Sequence, residues 1–273
     1  MQQPVMFSII ISAKNEEEHI SRTINSMVNN LSVENFEIIV INDGSTDKTE
    51  QILGNLKIPY VKTIRTNSLG TAKARNMGFR FAKGEIIIFS DAHITVPDRW
   101  LEHILKANEE INFDVLSVPI GADERGIFTG NEVVGYGQTL NAKLDTQWLL
   151  EQPLPYTEVP IAAGGFVVFN KKVFQDIGGF DTGFPTWGYE DVEISIKAWL
   201  RGYKIRAITD FFVDHYFRKT IPFRVSMEDF AYNHLRTAYL HLSFQRIEKL
   251  KTILHKKFEE AYEHTNIGFY NAK

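Results

Sequence analysis

The chain has 273 residues, 44% of them hydrophobic and 23% charged, enough to bury one large α/β domain and too apolar for a disordered polymer. A net charge of −4 argues against nucleic-acid binding as its main business. With no cysteine there is no disulfide framework, and any metal must rest on Asp, Glu or His. The opening residues carry no basic leader and no run approaches ~18 apolar residues, so the expectation is a cytoplasmic protein without a transmembrane segment.

Val5 to Ser12 reads as a buried strand, and Ile20, Ile24, Met27, Val28 and Leu31 then recur at helical spacing behind Asn15-Glu16-Glu17-Glu18. Phe36 to Ile41 is a second strand that breaks at Asn42-Asp43-Gly44-Ser45-Thr46-Asp47, before a helix carrying Ile52, Leu53 and Leu56. Val61 to Ile64 forms a short third strand and Gly70 to Phe81 a helix. Ile86 to Phe89 is a fourth strand, continuous in large apolar residues, that runs into Ser90 and Asp91. This alternation predicts a parallel, doubly wound half-domain with right-handed crossovers.

Ligands sit at the carboxyl ends of such strands, and two of these ends carry Asp43 and Asp91. Asp91 and His93 fall on one side if the chain stays extended, and a hard oxygen beside an imidazole suits Mn²⁺ or Zn²⁺ better than Ca²⁺. The plainer alternative is an aspartate that opens a turn beside an unrelated histidine. Asp47 reads as a helix cap and Asp43 as ligand-facing. Lys73 and Arg75 lie near a helix start, where one meets a diphosphate and the other is solvated. Neither a G-x-x-x-x-G-K-[ST] loop nor a G-x-G-x-x-G turn is present, which removes the phosphate-loop NTPase and dinucleotide dehydrogenase readings.

In the second half, Pro97 to Asn108 predicts a helix and Val115 to Ile120 a strand, whereas Gly121 to Pro160 is a weakly periodic region that shapes an acceptor site. Ala162 to Phe169 is a strand entered through Gly164 and Gly165, which permit close approach of a ligand to the backbone. After a short helix over Lys171 to Ile177, Trp187-Gly188-Tyr189-Glu190-Asp191 leads into a helix striped by Val192, Ile196 and Trp199. Its carboxylates serve the helix dipole or, with Trp187 as a flat platform, a sugar. Ile205 to Ala207 and Phe211 to Tyr216 are closing strands, and His215 offers a third ligand to the Asp91 and His93 pair. Beyond Phe223, Phe230, Leu235, Ala238 and Leu240 precede a clearer stripe of Ile247, Leu250, Leu254, Phe258 and Tyr262, which predicts a long helix or helix pair that braces the domain, a dimer contact or a docking surface for a membrane or peptide acceptor being the alternative.

These residues resemble the family 2 type glycosyltransferases of the GT-A fold over about residues 5–218. The second half is similar to the segment shared by polypeptide N-acetylgalactosaminyltransferases, chondroitin-polymerase-like enzymes and galactosyltransferases. The resemblance implies a Rossmann-like nucleotide-binding half with a mixed central sheet, residues 1–95, an acceptor and donor-sugar half, 96–220, and a helical extension, 221–273. It implies nucleotide contacts at Ser12, Ala13, Asn15, Glu16, Asp43, Arg75 and Ser90, although Ala13 and Lys14 replace the usual Pro and Tyr. Asp91-Ala92-His93 is similar to the D-x-H metal motif, and Asp214-His215-Tyr216-Phe217-Arg218 to the segment that supplies the third ligand. The metal is then Mn²⁺ or Mg²⁺, held by Asp91, His93 and His215. Gly164, Gly165 and Trp187 line the donor sugar, Glu190 holds hydroxyls, and Asp191 is the base of an inverting reaction. The implied activity moves a hexose or N-acetylhexosamine from a UDP-sugar to a glycan, lipid-linked or polypeptide acceptor. A retaining N-acetylgalactosaminyltransferase-like enzyme and a non-catalytic nucleotide-sugar-binding module are the rivals.

Overall fold

A computed structural model describes residues 5–29, 33–122, 132–218, 222–223 and 225–257. In chain order the first half comprises β1 (Phe7–Ala13), α1 (Ile20–Asn29), β2 (Phe36–Asp43), α2 (Thr49–Asn55), β3 (Val61–Thr66), α3 (Thr71–Phe81) and β4 (Ile86–Asp91). There follow β5 (Ile94–Thr95), α4 (Trp100–Ile111), β6 (Val115–Ser117), β7 (Ile120–Ala122), β8 (Val133–Gly135), β9 (Gln138–Leu140) and β10 (Thr146–Trp148). The chain continues through β11 (Phe166–Asn170), α5 (Lys171–Asp176), α6 (Glu190–Leu200), β12 (Ile205–Ala207), β13 (Val213–His215), α7 (Met227–His241) and α8 (Phe244–Lys257).

A seven-stranded sheet runs in the order β12-β6-β11-β4-β1-β2-β3. Its first-half strands pair in parallel, as the βα alternation requires, and β11 enters antiparallel between β4 and β6, which makes the sheet mixed. Central β1 is apolar on both faces because both are covered. Ile9 and Ile11 pack with Ile20, Ile24, Trp100 and Ile104 on one side, and Ile10 joins Ile87, Phe89, Phe174 and Phe180 on the other. Each such side chain contributes about 1.5–3 kcal/mol of burial. Helix α3 crosses β1 at Gly78, where a Cβ would lie 2.3 Å from Ile10 Cγ2, so only glycine permits that approach.

A smaller sheet, β5-β13-β7-β8, carries the remaining site strand. The single strand expected over Val115 to Ile120 is two strands in two sheets, because Pro119 has no amide to continue a ladder. Helix α4 starts at Trp100 rather than Pro97, since Arg99 sits at φ 60° in the left-handed region. Strand β11 starts at Phe166, later than expected, and the expected Phe211 to Tyr216 strand contracts to Val213–His215. The tail forms α7 and α8, a helix pair; Phe258 and Tyr262 lie outside the described residues. Among the described residues no helix is long and apolar enough to cross a membrane.

Candidate active site

Asp91 is the last residue of β4, His93 follows it into β5, and His215 ends β13, which pairs with β5 so that His215 lies opposite Ile94. The two sheets thereby deliver one ligand atom from each of Asp91, His93 and His215 to within 4.8 Å of one another. His215 Nε2 is 3.5 Å from Asp91 Oδ2, and the two imidazoles meet edge to face at 4.7 Å. Gly165 makes room: a Cβ there would sit 3.1 Å from His215 Cδ2.

Arg75, on α3, is 1% exposed beneath this cluster; its Nη2 donates to Asp91 Oδ1 at 2.9 Å and to the Gly164 carbonyl at 2.7 Å. Burial pulls the Asp91 carboxyl upward, but the His215 contact, Arg75 and the histidine charges outweigh it and hold it well below the usual carboxylate range. Burial also pushes the His215 imidazole down, against the pull of Asp91, which keeps a lone pair on the ring. The buried Glu16 carboxylate lies between Arg218, which donates to it, and His93, whose Nδ1 is 3.3 Å away. Glu16 Oε1 and Arg218 Nη2 both lie 3.3 Å from His93 Nδ1, so these contacts engage Nδ1 and not Nε2.

On the other side of Arg75, whose Nη1 is 3.9 Å from Glu190 Oε1, α6 opens with Glu190 and Asp191 after Gly188 and Tyr189, at φ 108° and 71°. The Gly188 amide donates to Glu190 Oε2 at 2.8 Å; Asp191 accepts from the amides of Gly164, at 3.2 Å, and Val192, at 2.9 Å. Burial, opposed by Arg75, pushes Glu190 up to about 7. Burial likewise raises Asp191, against the amides that favour its charged form. A Cβ on Gly164 would lie 2.9 Å from Asp191 Cβ, so that glycine lets the strand pass the carboxylate.

The sequence-predicted nucleotide residues divide. Ser12 lies in register between Ile41 and Asp91, and Ala13 is buried beside it. Asn15, at φ 54°, joins loops: Oδ1 accepts the Thr46 amide at 2.8 Å and Nδ2 donates to the Pro222 carbonyl at 3.0 Å. Asp43 accepts from Thr66 Oγ1 and the Leu69 amide, each at 2.6 Å, and from the Gly70 amide at 2.9 Å, so its carboxylate organises the β3–α3 turn. Ser90 is buried, and its hydroxyl donates to the Asp91 carbonyl at 2.9 Å. Asp47 accepts the amides of Thr49 and Glu17, each at 3.0 Å. Trp187 is 40% exposed and stacks on Phe230 of α7.

The model of "Glycosyl transferase family 2" matches residues 8–178, well over half of the chain, and that of the "N-terminal domain of galactosyltransferase" matches residues 149–218. The chain belongs to glycosyl transferase family 2. Its sequence is 30% identical over 236 residues to polypeptide N-acetylgalactosaminyltransferase 8 of Drosophila melanogaster, covering 80% of this chain and 39% of that protein. It is also 30% identical to human polypeptide N-acetylgalactosaminyltransferase 13, over 79% of this chain and 42% of that one. The chain thus spans about two fifths of the length of the curated relatives it matches. In fold it is similar to GalNAc-T7 solved with UDP, GalNAc and Mn²⁺, at TM-score 0.72 and 22% identity over 88% of this chain and 48% of that one. It is similar as well to S. aureus TarS 1-349 in complex with UDP-GlcNAc, at 0.64 and 24% over 93% and 73%. The mixed sheet is that of GT-A family members, as the sequence resemblance implied.

Two features of this family 2 chain escape a reading by motif. Arg218 reaches Glu16 across 202 residues, and its signal was its place closing the Asp214–Arg218 segment. Of the α7 residues that meet the Trp187 turn, Phe230 belongs to an apolar stripe, whereas Asp229, Asn233 and His234 had no signal because they read as solvated helix surface.

Proposed function

We propose that the chain is a metal-dependent glycosyltransferase that moves a hexose or N-acetylhexosamine from a UDP-sugar to an acceptor hydroxyl, with inversion and with Asp191 as base. What supports this most is one juxtaposition: three cation-seeking side chains brought together where two sheets meet, near buried Glu190 and partly buried Asp191 at the start of α6. The donor set fits Mn²⁺ or Mg²⁺, being a carboxylate oxygen and two imidazole nitrogens without thiolate, with His215 partly buried and its pKa lowered by desolvation, which favours the neutral ring a metal needs. Asp91, His93 and His215 would hold the ion, Glu16 orienting His93 and Arg75 orienting Asp91. When bound, it would offset negative charge developing on the leaving diphosphate.

Asp191 is suited to take the acceptor proton as the hydroxyl attacks the anomeric carbon, because its raised pKa makes it a stronger base than a solvated aspartate. Glu190, held by the Gly188 amide, would orient sugar hydroxyls. In this reading the Gly164–Gly165 backbone and the exposed face of Trp187 would line the donor sugar. The retaining alternative, on a polypeptide acceptor, draws on the similarity to polypeptide N-acetylgalactosaminyltransferases.

The test is hydrolysis of UDP-Glc, UDP-Gal, UDP-GlcNAc and UDP-GalNAc by the purified protein with Mn²⁺ and then with EDTA, the released anomer being read by NMR. Slow hydrolysis of one donor, stopped by EDTA and giving the inverted anomer, is expected. The retained anomer would move the reading to the retaining alternative. No hydrolysis together with no Mn²⁺-dependent UDP binding would overturn catalysis altogether.

A further inference from the structure

The turn that precedes α6 is held from outside the sheet. Gly188, at φ 108°, is in a region that L side chains rarely adopt, and a Cβ there would sit 2.6 Å from Phe230 Cδ2. Its carbonyl accepts from Asn233 Nδ2 at 2.7 Å, and Asn233 is fully buried. Phe230 stacks on Trp187 at 6.2 Å and 20°, His234 stacks on Tyr189 at 3.7 Å, and Thr186 Oγ1 donates to Asp229 at 3.0 Å. Four successive turn residues, Thr186 to Tyr189, are therefore each matched by a residue of α7.

A helix that only braced a domain would be expected to pack through apolar contacts on regular structure. Here a buried side-chain amide donates to the carbonyl of a glycine at positive φ, and the same glycine's amide fixes Glu190 at 2.8 Å. We infer that Asn233 and Phe230 are positioning residues, which hold the Gly188 turn so that Trp187, Glu190 and Asp191 face the donor sugar. This rests on the glycosyl-transfer reading above. The helical extension is then part of the catalytic unit, although it touches neither the Asp91, His93 and His215 cluster nor the β1 and β2 strand ends through these contacts.

The test uses Asn233→Leu, which keeps the branched skeleton of the side chain and cannot donate to Gly188, and Asn233→Asp, which can donate only while protonated, together with Phe230→Ala. Arg246→Ala, exposed on α8, is the control. For UDP-sugar hydrolysis with Mn²⁺, kcat is expected to fall roughly ten- to a hundredfold, while KM and Mn²⁺-dependent UDP affinity stay within about twofold. Trp187 emission, identified by subtracting the spectrum of Trp187→Phe, is expected to shift to the red. A lowered Tm with kcat within about twofold of the unaltered protein would reduce α7 to a brace, as would kcat and UDP affinity falling in step. Should the unaltered protein hydrolyse no donor, the functional reading fails separately, and an unshifted Trp187 emission would still overturn the positioning role.

Discussion

Asp43 ends β2 and Asp91 ends β4, on either side of β1, yet the chain treats the two carboxylates in opposite ways. Around Asp43 the Thr66 hydroxyl and the Leu69 and Gly70 amides all donate to the carboxylate, which closes a turn. Around Asp91 the neighbours are a buried guanidinium and two imidazoles whose lone pairs converge. The strand-end position is common to both, so position alone does not set a carboxylate's surroundings. What differs is whether the neighbours close a turn on the carboxylate or set beside it imidazole nitrogens that could share a cation with it.

The sharpest way to break this comparison is to exchange the two charges for amides. Asp91→Asn or His215→Ala should remove Mn²⁺ dependence from UDP binding and lower turnover by about a thousandfold. Unaltered metal dependence in calorimetry would dissolve the contrast. Asp191→Asn should lower turnover by roughly a hundredfold or more while UDP affinity is kept; unchanged turnover would remove Asp191 as base. Asp43→Asn should cost about 1–3 kcal/mol of stability, seen as a lower denaturation midpoint, with only a few-fold loss of UDP affinity. An unchanged midpoint with a large loss of affinity would make Asp43 ligand-facing after all.

Smaller effects follow from pH, and their signs differ across the molecule. At Asp181 burial works toward a higher pKa, but the hydrogen bonds from Arg236 and the Gly183 amide bring it below the ordinary 3.8. Its folded state binds the proton more weakly than the unfolded chain does, so its stabilisation is present above pH 3.8 and is lost as pH falls through the lowered value. Glu190 is the reverse: burial raises it from 4.5 to about 7, so stability falls as pH rises through that window. Denaturant titrations from pH 2 to pH 8 on Asp181→Asn and Glu190→Gln should flatten the acid and neutral slopes respectively, the latter by up to about 3 kcal/mol. Slopes matching the unaltered protein would mean that neither contact differs between the folded and unfolded states.

The β1, β2 and β4 strands were legible because each is a continuous apolar run ending at a polar residue, and burial on both faces leaves no other way to write them. The second half was less so. Pro119 splits one apolar run between two sheets, and no local periodicity reveals which sheet each piece joins. The trio Asp91, His93 and His215 was readable as residue types at strand ends. The burial of Arg75 and the way Asp43 is filled were not.

By itself the sequence determined the βα order, the apolar faces and the chemical identity of each candidate ligand, since these depend on neighbours within a few residues. Only the tertiary structure decided that β11 enters antiparallel beside β4, that β13 brings His215 alongside His93, and that α7 closes on the Gly188 turn. Those contacts join residues 45–122 positions apart, where strand pairing and buried hydrogen bonds, rather than local propensity, select the partner.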